Sequence, residues 1–206
     1  MARTRKQSSR GSLVELITIV AVALGLALGI QAFLVKPFRI PSESMEPTLD
    51  VGQRVLVWRL GLRVGSPGRG DIMVFKPPKG ADDNECGITG FNPEERHEAC
   101  PRPSSQRSNT NFIKRVVAVG GDRLAVKNGR VYINDKLQKE PYIRPSSDCG
   151  ICQLERPITI PKGYFFMMGD NRGESADSRE WGPIPKKWMI GKAFVTYWPP
   201  GRVGTL

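Results

Sequence analysis

The chain has 206 residues, enough for one domain of ordinary size plus an appendage. With 39% hydrophobic and 25% charged residues it carries too much apolar surface to be wholly disordered. Its 22 glycines and 17 prolines are aperiodic, which excludes a collagen-like rod and favours a loop-rich, mainly β fold over a helical bundle. Formal net charge is +11 with a single histidine, His97, too few imidazoles for a multi-histidine metal site. Four basic residues and one acidic residue precede residue 36, so +8 remains on the 171 residues that follow. Such a charge suits a solvated face, anionic lipid or nucleic acid alike.

Residues 1–12 are a basic tail carrying Arg3, Arg5, Lys6 and Arg10. Residues 13–35 read LVELITIVAVALGLALGIQAFLV. As a helix this stretch would span about 34 Å, against a hydrocarbon core of ~30 Å. Glu15 and Gln31 lie near its ends, and Gly25 and Gly29 have the small-xxx-small spacing of a helix contact. A cleaved secretion signal has a similar layout, but its apolar region runs only ~7–15 residues. The length therefore favours a permanent single-pass transmembrane helix. The preceding basic run places the N-terminus in the cytoplasm and residues 36–206 outside it.

After the anchor, 51–64, 71–76 and 112–119 are rich in β-formers and read as strands. Trp58, Leu60 and Leu62 would share one face of the first, as buried core or as an apolar surface dipping into the bilayer. Residues 77–109 form a polar excursion with five prolines. Residues 124–134 are two short strands around Asn128-Gly129, a hairpin signal. Residues 140–161 read as loop, and 163–169 and 190–197 as strands.

A hydrolytic serine needs a base. His97 sits in Glu94-Glu95-Arg96-His97-Glu98, inside the excursion, and reads as a surface residue. On a strand, Lys114 shares a face with Phe112 and Val116, whereas Arg115 points to the other face. Apolar neighbours lower a lysine pKa and so favour a neutral, proton-accepting amine. An edge lysine snorkelling to solvent is the alternative.

Four segments in order resemble the type I signal peptidases, membrane-anchored Ser/Lys endopeptidases. They are Ser44-Met45-x-Pro47-Thr48-Leu49, Arg69-Gly70-Asp71-Ile72-x-Val74-Phe75, Lys114-Arg115-Val116-Val117 with Gly121-Asp122, and Gly169-Asp170-Asn171-Arg172-x-x-Ser175-x-Asp177-Ser178-Arg179. The resemblance implies a catalytic domain related to SH3-like barrels over 36–206. It leaves room for only a small hairpin subdomain within 123–162. Ser44 would be the nucleophile and Lys114 the general base, with Ser175 orienting the lysine. Ser42 and the backbone N–H of Ser44 would form the oxyanion hole. Asp170, Asp177 and Arg179 would brace the site. Phe38, Ile40, Met45, Leu49, Phe112 and Ile113 would line pockets for small residues of the substrate.

The implied reaction is removal of signal peptides from exported preproteins after Ala-x-Ala, at the plasma membrane. The implied enzyme is a monomer without metal or organic cofactor, in contact with the lipid bilayer and not with nucleic acid. A self-cleaving Ser/Lys repressor shares the chemistry but would carry a helix-turn-helix in place of the apolar span. A silent binding module would be expected to lack Ser44 or Lys114. Outside the cytoplasm Cys86, Cys100, Cys149 and Cys152 should be oxidised, and three pairings are open.

Overall fold

The computed structural model describes residues 9–146 and 149–206, so most of the basic tail lies outside the described residues. Helix α1 (Ser9–Phe33) is followed by strands β1 (Val35–Arg39) and β2 (Arg54–Trp58), helix α2 (Gly61–Val64), β3 (Ile72–Phe75) and helix α3 (Pro93–Arg96). Then come β4 (Phe112–Val119), β5 (Arg123–Lys127), β6 (Arg130–Ile133), β7 (Lys136–Leu137) and β8 (Leu154–Thr159). The chain ends with β9 (Tyr164–Met168), helix α4 (Ser178–Trp181), β10 (Ile184–Pro185), β11 (Met189–Trp198) and β12 (Gly204–Thr205).

The large apolar side chains of α1 from Leu13 to Leu28 are exposed. Among the described residues no helix is long and apolar enough to cross a membrane.

Two antiparallel sheets make up the rest. The larger runs β1-β2-β11-β3-β4-β9-β10, with β12 beside β11. β3 lies between β11 and β4 and is buried at all four positions, as a strand covered on both faces must be. Met73 and Phe75 pack with Val116, Met167 and Trp181, while Ile72 and Val74 pack with Ile40, Met45, Leu49 and Ile113.

The smaller sheet runs β7-β6-β5-β8. It packs on the larger through Val117, Ala118, Phe166 and Met168, which meet Leu124, Val126 and Leu154. A register shift between Val116 and Ala118 turns both Val117 and Ala118 toward this second core.

Three expectations need correction. The accessory unit is a four-stranded sheet, not a lone hairpin, because 154–159 forms β8 along β5. Pro157 hides this strand in the sequence, yet β8 is the sheet's edge, where a missing N–H is tolerated. The run 51–64 stops being a strand at Trp58. Gly61 opens α2, so Trp58, Leu60 and Leu62 do not alternate along one strand face. Trp58 is exposed, and Leu62 packs against the core around Phe75. The third is the far boundary of the 13–35 helix: α1 ends at Phe33, and Val35 already belongs to the edge strand β1, in register with β2 from Val35 opposite Trp58 to Arg39 opposite Arg54.

The 77–109 excursion is tied down. Cys86 pairs with Cys100, and Cys149 with Cys152, which selects one of the three pairings left open. Asn92 caps α3 by accepting from the N–H groups of Glu94 and Glu95. His97 is exposed in a left-handed backbone conformation, with Nδ1 3.2 Å from the Gln153 carbonyl oxygen, and it is not among the residues lining the Ser44 cavity.

Candidate active site

β4 carries the lysine. Phe112, Lys114 and Val116 face one side, and the Lys114 Nζ stands 5.9 Å from the Phe112 ring centroid. Lys114 is only 4% exposed. Its ammonium donates to Ser175 Oγ at 3.0 Å, and Ser175 Oγ donates to Asp177 Oδ2 at 2.8 Å. Burial pushes the Lys114 pKa down to about 8, against the opposing pull of Asp177.

Asp177 is the N-cap of α4 and fully buried. Burial alone would raise its carboxyl. The Arg179 guanidinium, which donates from Nε and Nη2 at 2.8 Å each, holds it below the ordinary carboxylate range. The Gly169 N–H donates to the same carboxylate at 3.0 Å, fixing the end of β9 against α4.

Ser44 lies in a single 3-10 turn over Glu43–Met45, between buried Ile40 and Leu49. Its carbonyl accepts from Asn171 N–H at 3.1 Å, and the Glu43 carbonyl accepts from Asn171 Nδ2 at 3.3 Å. Its Oγ lies 3.3 Å from Ser42 Oγ. Ser42, Ser44, Phe112, Ile113 and Lys114 line one open cavity of about 600 Å³. Among the described residues there is no direct hydrogen bond between Ser44 and Lys114; the cavity lies open to both. Ile40, Met45 and Leu49 are buried in the apolar cluster that includes Ile113, with Phe38 packed against it, so this cluster reaches the cavity at Ile113. Among the described residues no group of three or more metal-ligating side chains converges.

Asp170 joins the two halves of the site. It accepts from Arg115 Nε at 2.9 Å and Nη2 at 2.6 Å, and from Thr48 Oγ1 at 2.5 Å. Strand β4 and the Ser44 segment are thereby held on one buried carboxylate. Arg115 does face away from Lys114, but it is buried over the Tyr142 ring at 3.8 Å, not exposed. Arg69, from a further motif segment, also forms an ion pair with Asp122 of the Lys114 segment. Sequence reasoning missed three participants: Thr48 as a donor, and the buried pair Arg172–Glu140. Thr48 and Arg172 lie inside motif segments, which was the available signal. Glu140 lies in a stretch with no pattern of its own.

Gly169 is required by close approach. A Cβ there would stand 2.3 Å from both Ser175 Oγ and the Ser44 carbonyl oxygen, so any side chain must separate the two serines. Gly169→Ala is expected to lower kcat/KM about a hundredfold, the cost typical of a ~1 Å misplacement. Circular dichroism should remain that of a folded protein, and a fully active Gly169→Ala enzyme would contradict this packing.

The model of the family "Signal peptidase, peptidase S26" matches residues 13–198. A probable signal peptidase I-2 of Synechocystis is 32% identical over 100% of this chain and 82% of its own length. Signal peptidase I of Leptolyngbya laminosa is 36% identical over 94% of this chain and 84% of its own. Thylakoidal processing peptidase 1 of Arabidopsis thaliana is 36% identical over 88% of this chain, which spans 47% of that larger protein. A single family thus accounts for nearly the whole sequence, and the chain belongs to the signal peptidase family, peptidase S26, serine proteases that cleave signal peptides from preproteins.

Proposed function

We propose that Ser44 and Lys114 form the catalytic dyad of a membrane-anchored endopeptidase that cuts exported preproteins after a small-x-small sequence. The observation that carries this reading is a buried lysine, hydrogen-bonded to Ser175 and sharing one cavity with Ser44. Ser44 Oγ attacks the scissile carbonyl carbon while its proton passes to the Lys114 amine. Ser42 Oγ and the Ser44 N–H donate to the developing oxyanion, each such donor being worth roughly 3 kcal/mol. The lysine then protonates the departing amine, and the C–N bond breaks. Water, deprotonated by the same lysine, hydrolyses the Ser44 ester. Ser175 holds Nζ in place, and Asp170, Asp177 and Arg179 keep the elements in register.

The substrate's cleavage segment would lie extended in the cavity, with small side chains against Phe112 and Ile113, and with Phe38, Ile40, Met45 and Leu49 packed behind Ile113 as the wall's support rather than as its surface. Residues 13–35 would anchor the enzyme, with 1–12 in the cytoplasm and 36–206, including the accessory sheet within 123–162, on the far side. The continuous helix α1 with its exposed apolar side chains supports this placement. The deciding experiment incubates detergent-solubilised protein with a labelled preprotein whose signal ends in Ala-x-Ala, then sequences the new N-terminus. Cleavage elsewhere, or none, would overturn the reading. Added protease should digest the domain after residue 36 in spheroplasts, and complete protection there would refute the orientation.

The lysine also sets a pH dependence. With a pKa of about 8, roughly one Lys114 in ten is neutral at pH 7, against roughly one in a few thousand for an ordinary lysine. The value of kcat/KM should rise about tenfold per unit below pH ~8 and level off above it. A limb centred near 6 would exclude Lys114 as the titrating base. Folding stability should carry the same signature. The folded protein releases this proton at about 8 and the unfolded chain only near 10.5, so the unfolded state binds more protons between those values. This group's contribution to stability therefore rises with pH across that window.

A further inference from the structure

Arg179 is fully buried, and its guanidinium is divided among several partners. Nε and Nη2 hold Asp177, and Nη2 also donates to the carbonyls of Ser175 and Arg172, at 3.1 and 2.8 Å. Nη1 points elsewhere, to Cys152 Sγ at 3.6 Å. Cys152 is itself fully buried and bonded to Cys149 across the 3-10 turn Gly150–Cys152. The Cys152 carbonyl accepts from Gly129 N–H at 3.0 Å, at the tip of the β5–β6 hairpin, and Arg172 donates to the Gly129 carbonyl. Cys152, Gly129, Arg172 and Arg179 thus close a ring that bears on Asp177 through Arg179, and none of the four lines the cavity.

We propose that the Cys149–Cys152 disulfide is a positioning element of the active site: it seats Arg179 on Asp177 and, through Ser175, sets the proton affinity of Lys114. The inference rests on the dyad reading above. Its physical basis is charge compensation. At Lys114 the Asp177 carboxylate favours the ammonium and the Arg179 guanidinium opposes it. If Arg179 draws back from Asp177, the carboxylate acts on the lysine with less compensation, and Lys114 keeps its proton to higher pH. The other charged groups facing Lys114 are Glu180 of α4 and Asp170 at the end of β9. Glu180 in turn feels Asp177, Arg179 and Glu94. Glu94 of the excursion lies against Gly150 of the disulfide turn, so the turn meets the charge network from that side too.

The test compares pH profiles of kcat/KM for the parent and for C149S/C152S. The acid limb of the double variant is expected to move up by about half to one pH unit, a loss of about three- to tenfold at pH 7. The alkaline plateau should stay within about twofold. A disulfide that serves stability alone would lower activity equally at every pH and leave the limb in place, and that result overturns the proposal. Should the variant fold poorly, the parent can be opened with a phosphine reductant and alkylated. The fraction with Cys149 and Cys152 blocked and Cys86–Cys100 intact, identified by mass spectrometry, should show the same shift; an unmoved limb in that fraction also overturns it. Residual activity in Lys114→Ala would instead count against the dyad, so the two failures are separable.

Discussion

Purified Ser44→Ala and Lys114→Ala proteins are each expected to lose at least about a thousandfold in kcat/KM, and the double variant to be no slower than either. In the proposed dyad the two side chains perform one proton transfer, so removing the second would take nothing further away. Both line the same cavity, and neither lies at the centre of an apolar cluster, so folding should survive each replacement. Lys114→Ala removes a buried amine whose depressed pKa shows that the fold does not favour its charged form. Its melting temperature should therefore be unchanged or raised at neutral pH. The measurement is turnover of the labelled preprotein alongside a thermal melt. Substantial activity in Ser44→Ala would remove the nucleophile assignment; a collapse of the fold in Lys114→Ala would show that the lysine is mainly a structural member of β4.

Asp170→Ala should produce the largest loss of stability. Asp170 is fully buried and compensates the buried Arg115 guanidinium through two hydrogen bonds. Its removal also takes away the acceptor for Thr48 Oγ1. Removing one partner of a buried ion pair typically costs about 3–5 kcal/mol, because the remaining charge is stranded away from water. For a domain of this size that corresponds to a fall of roughly 6–20 °C in Tm. Removing both charges is a different matter, since an apolar replacement of a buried pair is often neutral. Asp170→Leu combined with Arg115→Met should therefore be more stable than Asp170→Ala. A denaturant midpoint for Asp170→Ala within error of the parent would show that the carboxylate is not the tie between the Ser44 segment and β4.

Much of the fold was legible because short-range patterns and long-range packing agree. β4 occupies the expected residues 112–119, since alternation of Lys114 and Arg115 between two apolar faces is a strand pattern that nothing overrides. Asn128 and Gly129 both have the positive φ that the hairpin demands. The strand β8 was illegible because its sequence, Leu-Glu-Arg-Pro-Ile-Thr, lacks clean alternation, and only its edge position makes Pro157 acceptable. The turn into α2 at Gly61 was hidden inside a run of β-formers. At the site, Ser44, Lys114, Ser175 and Asp177 stand inside recognisable motifs, so residue type and spacing were informative. Glu140 opposite Arg172, and Cys152 opposite Arg179, are contacts between segments with no shared pattern. Only the three-dimensional path of the accessory sheet brings them together.

The junction between α1 and β1 bears on which bonds can be cut. A single residue, Leu34, separates them, and its carbonyl accepts from Arg59 N–H at 3.0 Å. β1 is then paired along its whole length with β2, so the link from helix to sheet has no slack. Ser44 follows Val35 by nine positions, a reach of at most ~30 Å even for a fully extended chain. If α1 crosses the bilayer as proposed, the reactive hydroxyl is held at a set height above the lipid, and the enzyme behaves as a depth gauge. A cleavage sequence presented at that height meets it directly, whereas an identical sequence placed farther along an exported chain must fold back toward the membrane before it can be read.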